Sequence, residues 1–407
     1  MSYAARQLVV TALAANAVRP LRGRYGALAG FAAGWLTTEL APQILALTAA
    51  DTAAELTWRR KRGSAGGVAG LAMAAVTLGT LGYLVAGART SGTRIEGALS
   101  ESLGKDYLDG LEDAPSAVDL AVPLREVLRP FHLTDPDVEV ERNINYTAGG
   151  RRARLDIYRR KGSTPSNAPV LVQVHGGGWT MGSKEQQGLL LMNRMAARGW
   201  VCVALNYRLA PQHPFPAQII DTKLVLAWVR EHIGEYGGNP AYLVITGGSA
   251  GGHLAALAAL TPDVKEYQPG FEAADTTVAA CVPFYGVYDM AGLTQERYAV
   301  GMRDHYLGPR VFKKDPRTHL EDFVQASPLA HVGGHAPDFF VLHGAKDSLV
   351  SVSQARAFVK QLKERSDASV TYAELPGTQH AFEVFSSIRS QHTIRAVQRW
   401  LQWHHAR

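Results

Sequence analysis

From residue 151 onward the chain keeps to one rhythm. Short apolar, β-branched runs close on glycine or on a polar loop, and segments with apolar residues at helical spacing lie between them. RARLDIYRR, PVLVQV, WVCVALNY, YLVITGG, VAACVPFYG, DFFVLHG and VTYAEL read as strands, while GLLLMNRMAARG, stopped by Gly199, and DTKLVLAWVREHI read as helices. Such alternation predicts an α/β fold with a mostly parallel sheet and helices on both faces. Ligands of such a sheet gather outside the carboxyl ends of its strands.

The N-terminal part has another texture. Gly67 to Ala88 carries no charge over a length that suits the roughly 20 residues needed to cross hydrocarbon, which predicts a transmembrane helix. Residues 26–50 form a possible second span, interrupted by Glu39 and Pro42, with glycines at 26, 30 and 34 spaced as in closely packed membrane helices. A buried helical hairpin of a soluble domain is the alternative for both. Residues 96–145 are more polar and carry Pro115, Pro123, Pro130 and Pro136, which predicts a linker passing into cap helices. The expected organisation is therefore a membrane-anchoring helical region at 1–95, a linker with cap helices at 96–145 and a catalytic α/β domain at 146–407.

Composition sharpens this division. The chain has 407 residues, 46% of them hydrophobic, enough to bury a large core. Its net charge of +6 is local, because residues 1–100 hold ten Lys/Arg against four Asp/Glu and the remainder is balanced. A membrane surface explains that excess better than a nucleic acid does. Arg59-Arg60-Lys61-Arg62 would be retained in the cytoplasm, which places residues 89 onward on the extracytoplasmic side of the cell membrane, with Arg19, Arg22, Arg24, Arg89 and Arg94 acting against that orientation. The two cysteines, Cys202 and Cys281, lie inside strand-like runs and read as buried thiols.

The candidate chemistry falls at strand ends. Gly247-Gly248-Ser249-Ala250-Gly251 fits G-x-S-x-G, in which the serine sits on a tight turn between a strand and a helix. Asp347 follows the DFFVLHG strand and His380 follows VTYAEL. A serine hydroxyl needs a base, and the base needs an acceptor that fixes its tautomer, so Ser249, His380 and Asp347 are the candidate catalytic residues. Directly after PVLVQV comes His175-Gly176-Gly177-Gly178-Trp179, whose glycines can turn backbone N–H groups toward a developing oxyanion. Gly177, Gly178 and the amide of Ala250 are the expected donors, with His175 bracing the loop. A phosphate-binding loop is the rival for these glycines, but no Gly-Lys-Ser/Thr follows them.

The chain resembles the hormone-sensitive-lipase-like branch of the α/β-hydrolases, the bacterial family IV esterases and their arylacetamide-deacetylase-like relatives, over residues 140–405. The resemblance rests on HGGGW at 175–179, with Gly176 inside it, YRLAPQHPFPA from Tyr207 with Asp221 after it, GGSAGG at 247–252, FYGVYD at 284–289, the Asp347 loop and His380-Ala381-Phe382. It implies carboxylic ester hydrolysis through an acyl-enzyme, on a small-molecule or lipid ester, without metal or organic cofactor. It also implies a cap made of N-terminal helices and an insertion, here Ala291 to Pro328. Two positions depart from the pattern: Gly248 stands where an acidic residue often precedes the nucleophile, and Gln212 replaces a glutamate. The alternatives are a membrane-anchored deacetylase or methylesterase of narrow specificity, and a non-catalytic binding homologue, against which the intact His380 speaks.

Overall fold

The computed structural model describes residues 1–21, 26–62, 67–109, 111, 116, 121–163 and 166–407; Arg22, Arg24 and Pro115 lie outside the described residues. Its centre is an eight-stranded sheet in the order β1-β2-β4-β3-β5-β6-β7-β8. The strands are β1 (Val138–Asn145), β2 (Arg154–Arg160), β3 (Ala168–Val174), β4 (Val201–Leu205), β5 (Gly238–Gly248), β6 (Ala280–Phe284), β7 (Asp338–Gly344) and β8 (Val370–Leu375). From β4 to β8 all pairings are parallel, whereas β1 and β2 join antiparallel at one edge. The central strands read as unbroken apolar runs because helices cover both of their faces.

Each face has its own core. The helices Ala217–His232, Ala250–Leu260 and Val352–Arg365 cover one, burying Leu226, Leu254, Leu257 and Phe358 against Ile245 and Val341. On the other face Leu191 and Met195 of Leu189–Ala197 and Val397 and Trp400 of Ile388–His405 pack on Leu171, Val244 and Leu342. Cys202 and Cys281 are buried free thiols. One strand was not anticipated: β1, placed in the linker by its charges, is a half-exposed edge strand whose alternation is interrupted at the left-handed Asn143.

Four N-terminal helices precede the sheet: α1 (Tyr3–Val18), α2 (Ala27–Glu39), α3 (Ala41–Arg62) and α4 (Val68–Leu103). Two sequence expectations need correction here. Residues 26–50 are not one span: the chain breaks at Leu40 into α2 and α3, and Pro42 sits in the first turn of α3, where no intrahelical donor is needed. The expected boundary at 95/96 falls inside α4, which runs unbroken for 36 residues because ARTSGTRIEGALSESL contains no proline. At about 1.5 Å per residue α4 is a rod of roughly 54 Å. Its C-terminal turns bury Ile95 and Leu99 in the sheet-face core, and Ser102 Oγ lies 2.7 Å from Thr371 Oγ1 on β8.

The N-terminal part of α4 packs with α1 and α3 into a bundle around Ala17, Ala41, Leu81 and Leu84. Polar pairs link its helices: Thr11 to Thr77 at 2.8 Å, Tyr3 to Thr52 at 3.1 Å and, at the surface, Arg6 to Asp51 at 2.8 Å. Among the described residues α4 is the one helix long and apolar enough to cross a membrane.

Candidate active site

Strand β5 ends at Gly248, and Ser249 turns the chain into the helix Ala250–Leu260 with φ 59° and ψ −119°. A non-glycine residue in that conformation is strained and persists only where its surroundings hold it. Here the Ser249 N–H donates to Phe284 O at 3.0 Å and the Ser249 carbonyl accepts from His253 N at 2.9 Å. The turn is crowded as well as bonded. A Cβ on Gly176 would stand 2.6 Å from Gly248 O and 3.2 Å from Ser249 Cβ, so only glycine lets the HGGGW loop lie against the elbow.

Asp347 and His380, from the loops after the neighbouring strands β7 and β8, meet with His380 Nδ1 2.6 Å from Asp347 Oδ2. Asp347 Oδ1 accepts from the N–H groups of Leu349 and Val350, each at 2.8 Å, which fixes the carboxylate plane. Burial alone would raise this carboxyl, but the charge of the His380 imidazole and hydrogen bonds from His343 and His380 outweigh it and hold it well below the usual carboxylate range. Gln379 sets the loop: its Oε1 accepts from Ser348 N at 2.7 Å and His380 N at 3.0 Å, tying the acid loop to the base loop.

Ser249 and His380 both contact the Phe284–Tyr285 segment. Phe284 bonds the serine backbone, and the Tyr285 ring lies 4.4 Å from the His380 ring. The Tyr285 hydroxyl donates to the buried Glu383 carboxyl, whose pKa burial raises.

The glycine loop has the geometry expected of a donor cradle. Gly177 holds φ +116° and Gly178 φ +58°, which turns their peptide groups in a way L-residues seldom reach. Among the described residues their N–H groups have no protein acceptor, whereas their carbonyls are used: Gly177 O accepts from Thr180 and Met181, and Gly178 O from Tyr306 Oη at 3.0 Å. Ala250 opens its helix, so its N–H also lacks an intrahelical partner. Tyr306 lies within residues 291–328, so that segment braces this loop.

The supporting residues stand around these three groups. Gly176 N donates to Gln187 Oε1 at 2.7 Å. The His175 ring stacks on Tyr207 at 4.2 Å, Tyr207 Oη donates to His175 O at 2.9 Å, and burial lowers the His175 imidazole to about 4, so it stays neutral as a brace. Asp221 grips Arg208 at 2.7 Å and accepts from its backbone N–H at 2.8 Å, pinning the segment after Tyr207 from outside the site. Trp179 Nε1 donates to His253 Nδ1 at 3.1 Å, joining the glycine loop to the elbow helix.

Sequence reasoning missed the roles of Tyr285, Glu383 and Gln379, and it missed that α2, read only as part of a membrane span, lies beside the site. The Phe31 ring meets His380 edge-on at 5.8 Å. Tyr285 lay within the FYGVYD motif and Glu383 directly after His380-Ala381-Phe382, but no spacing could show that they bond to each other. Nothing in an Ala/Gly-rich helix more than three hundred residues before His380 signals a place in the site.

A mostly parallel sheet with a strained serine between β5 and its helix, and an acid and an imidazole after β7 and β8, is the architecture of an α/β-hydrolase. The family model described as BD-FAE matches residues 155–362. The chain is 44% identical to the probable carboxylic ester hydrolase LipM of Mycobacterium tuberculosis, over 97% of this chain and 92% of that protein. It is 41% identical to esterase LipQ of the same organism, over 75% and 73%. Among solved structures, the apo form of Thermogutta terrifontis esterase 2 superposes with a TM-score of 0.54 at 25% identity, covering 65% of this chain and 94% of that one. The chain belongs to the carboxylic ester hydrolases of the α/β-hydrolase fold, in the hormone-sensitive-lipase-like branch.

Proposed function

We propose that this protein is a membrane-anchored serine carboxylesterase that works by two-step acyl transfer. The observation that carries the reading is the 2.6 Å bond between His380 Nδ1 and a doubly anchored Asp347, in a fold that also holds Ser249 at positive φ at the end of β5. His380 takes the proton of Ser249 as its Oγ attacks the ester carbonyl. The amides of Gly177, Gly178 and Ala250 receive the oxyanion, and Asp347 fixes the imidazole tautomer and stabilises the imidazolium. His380 then protonates the leaving alcohol. A water deprotonated by His380 attacks the acyl-enzyme and releases the acid. No step calls on a metal or an organic cofactor.

The anchor reading rests on α4. Only 28% of its most apolar window is buried, and Val68, Val76 and Tyr83 are exposed, a surface that suits lipid better than water. The basic block at the end of α3 favours a cytoplasmic side for that end of the bundle, and with it an extracytoplasmic catalytic domain at the far end of α4. Ser249→Ala tests the chemistry: it should abolish p-nitrophenyl ester turnover and labelling by a fluorophosphonate, and substantial turnover in the variant would assign the nucleophile elsewhere.

A further inference from the structure

The α/β domain does not enclose its site alone. Helix α2 lies beside the catalytic loop: the Phe31 ring stands edge-on to His380, interplanar angle 81°, and stacks on Trp35 at 5.5 Å. Trp35 meets Phe385 at 5.2 Å, and Phe385 meets Phe131 at 5.4 Å. Phe131 is 67% exposed, as are its neighbours Leu124 and Leu128 at 71% and 65%. An aromatic seam therefore runs from the imidazole to an apolar surface, and both Phe31 and Trp35 are only partly buried along it.

The helix is fixed where a tether would be loose. A Cβ on Gly34 would lie 3.4 Å from Gln379 Nε2, on the side chain that bonds His380 N, and 3.2 Å from Asn16. Ser348 Oγ, next to Asp347, reaches Ala27 O at 3.4 Å. At its end Glu39 is buried between Arg389 Nη1 at 2.5 Å and Ser387 Oγ at 2.7 Å. Burying a full ion pair is a costly way to add stability, and its better-attested use is to specify register.

We propose that α2 is the substrate-selecting wall of the active site. Phe31 meets the apolar chain of the substrate beside His380, and the Glu39–Arg389 pair holds the helix in register. The substrates are esters with an apolar chain that lies along the Phe31–Trp35–Phe385 seam. This rests on the reading of Ser249 as nucleophile and adds to it where specificity comes from: the N-terminal region selects as well as anchors.

The test is a p-nitrophenyl ester series from acetate to dodecanoate, on full-length protein in detergent, comparing wild type, Phe31→Ala and Phe31→Leu, with fluorophosphonate labelling of Ser249 as a separate readout. Phe31→Ala should change the ratio of kcat/KM between long and short esters by about tenfold or more, chiefly through KM of the long esters, and Phe31→Leu should keep most of the wild-type ratio. Equal ratios in labelled wild-type and variant proteins overturn the proposal. Should Phe31→Ala not fold, Phe31→Leu and Phe31→Trp carry the same comparison, because the ratio must follow side-chain size. Absence of labelling in the wild type overturns the nucleophile reading instead, and this proposal falls with it.

Discussion

The ring of Tyr285 stands 4.4 Å from that of His380, and its hydroxyl donates to the buried carboxyl of Glu383. A Cβ on Gly248 would come within 2.7 Å of the same hydroxyl. Tyr285 thus fills the room that an acidic residue before Ser249 would need, and Glu383 brings a carboxyl into that neighbourhood from the opposite loop.

Removing the tyrosine hydroxyl should therefore be felt as stability. Tyr285→Phe leaves a buried carboxyl without its donor, at a cost of about 1–3 kcal/mol, and lowers the denaturation midpoint. The sign of the pH effect follows from burial, which raises the Glu383 pKa in the folded state. Its stabilising contribution is full below the unfolded carboxylate value and is lost as pH rises through the folded one. Thermal midpoints measured against pH should accordingly decline less toward the alkaline side in Glu383→Gln than in the wild type; parallel curves would contradict this account.

Asp347 has the opposite linkage. Its folded pKa is depressed despite burial, so its contribution is present above the unfolded value of about 4 and is lost as pH falls toward the folded one. Asp347→Asn should flatten the acid limb of the stability curve. It should also lower kcat by roughly 10³–10⁴ with little change in KM, because the asparagine amide favours the wrong imidazole tautomer. A variant that kept wild-type kcat would remove Asp347 from the proton pathway.

The pattern of these predictions reflects what a linear sequence can carry. Ser249, Asp347, His380 and the glycines at 176–178 were legible because each sits at the end of an apolar strand, where local chemistry and local structure coincide. Seven of the eight strands were legible for the same reason. The edge strand β1 was not: Val138 and Val140 do alternate with Glu139 and Glu141, but the run is short and continues a polar, proline-bearing stretch that reads as linker. Neither Glu39 nor Phe31 could be placed: a carboxylate within an apolar run reads as a flaw in a membrane span until the Arg389 that neutralises it, 350 positions later, is seen beside it.

Gly177→Ala tests the oxyanion cradle. Its backbone holds φ +116° and a Cβ would meet Met181 O at 2.2 Å, so the loop must shift and take the N–H with it. Loss of one such donor lowers kcat by about 10²–10³ while ground-state binding changes little. Steady-state kinetics on a short ester decides this, and an effect confined to KM would assign the loop to binding alone.

The Glu39–Arg389 pair makes the last prediction, which separates a structural N-terminus from a mere tether. Both side chains are 1% exposed, so Glu39→Ala strands a buried guanidinium and should cost about 3–5 kcal/mol in chemical denaturation of the detergent-solubilised protein. Replacing the pair together, Glu39→Leu with Arg389→Met, removes both charges from the interior and should recover most of that loss, because the penalty belongs to the unpaired charge. Deleting residues 1–95 makes the same cut on a larger scale: it removes Glu39, uncovers Phe385 and takes Ile95 from the sheet-face core. The fragment is therefore expected to be insoluble or inactive, although residues 146–407 contain every candidate catalytic group. A fragment that folded and turned over esters as the full chain does would show that the ion pair contributes nothing to holding the site together.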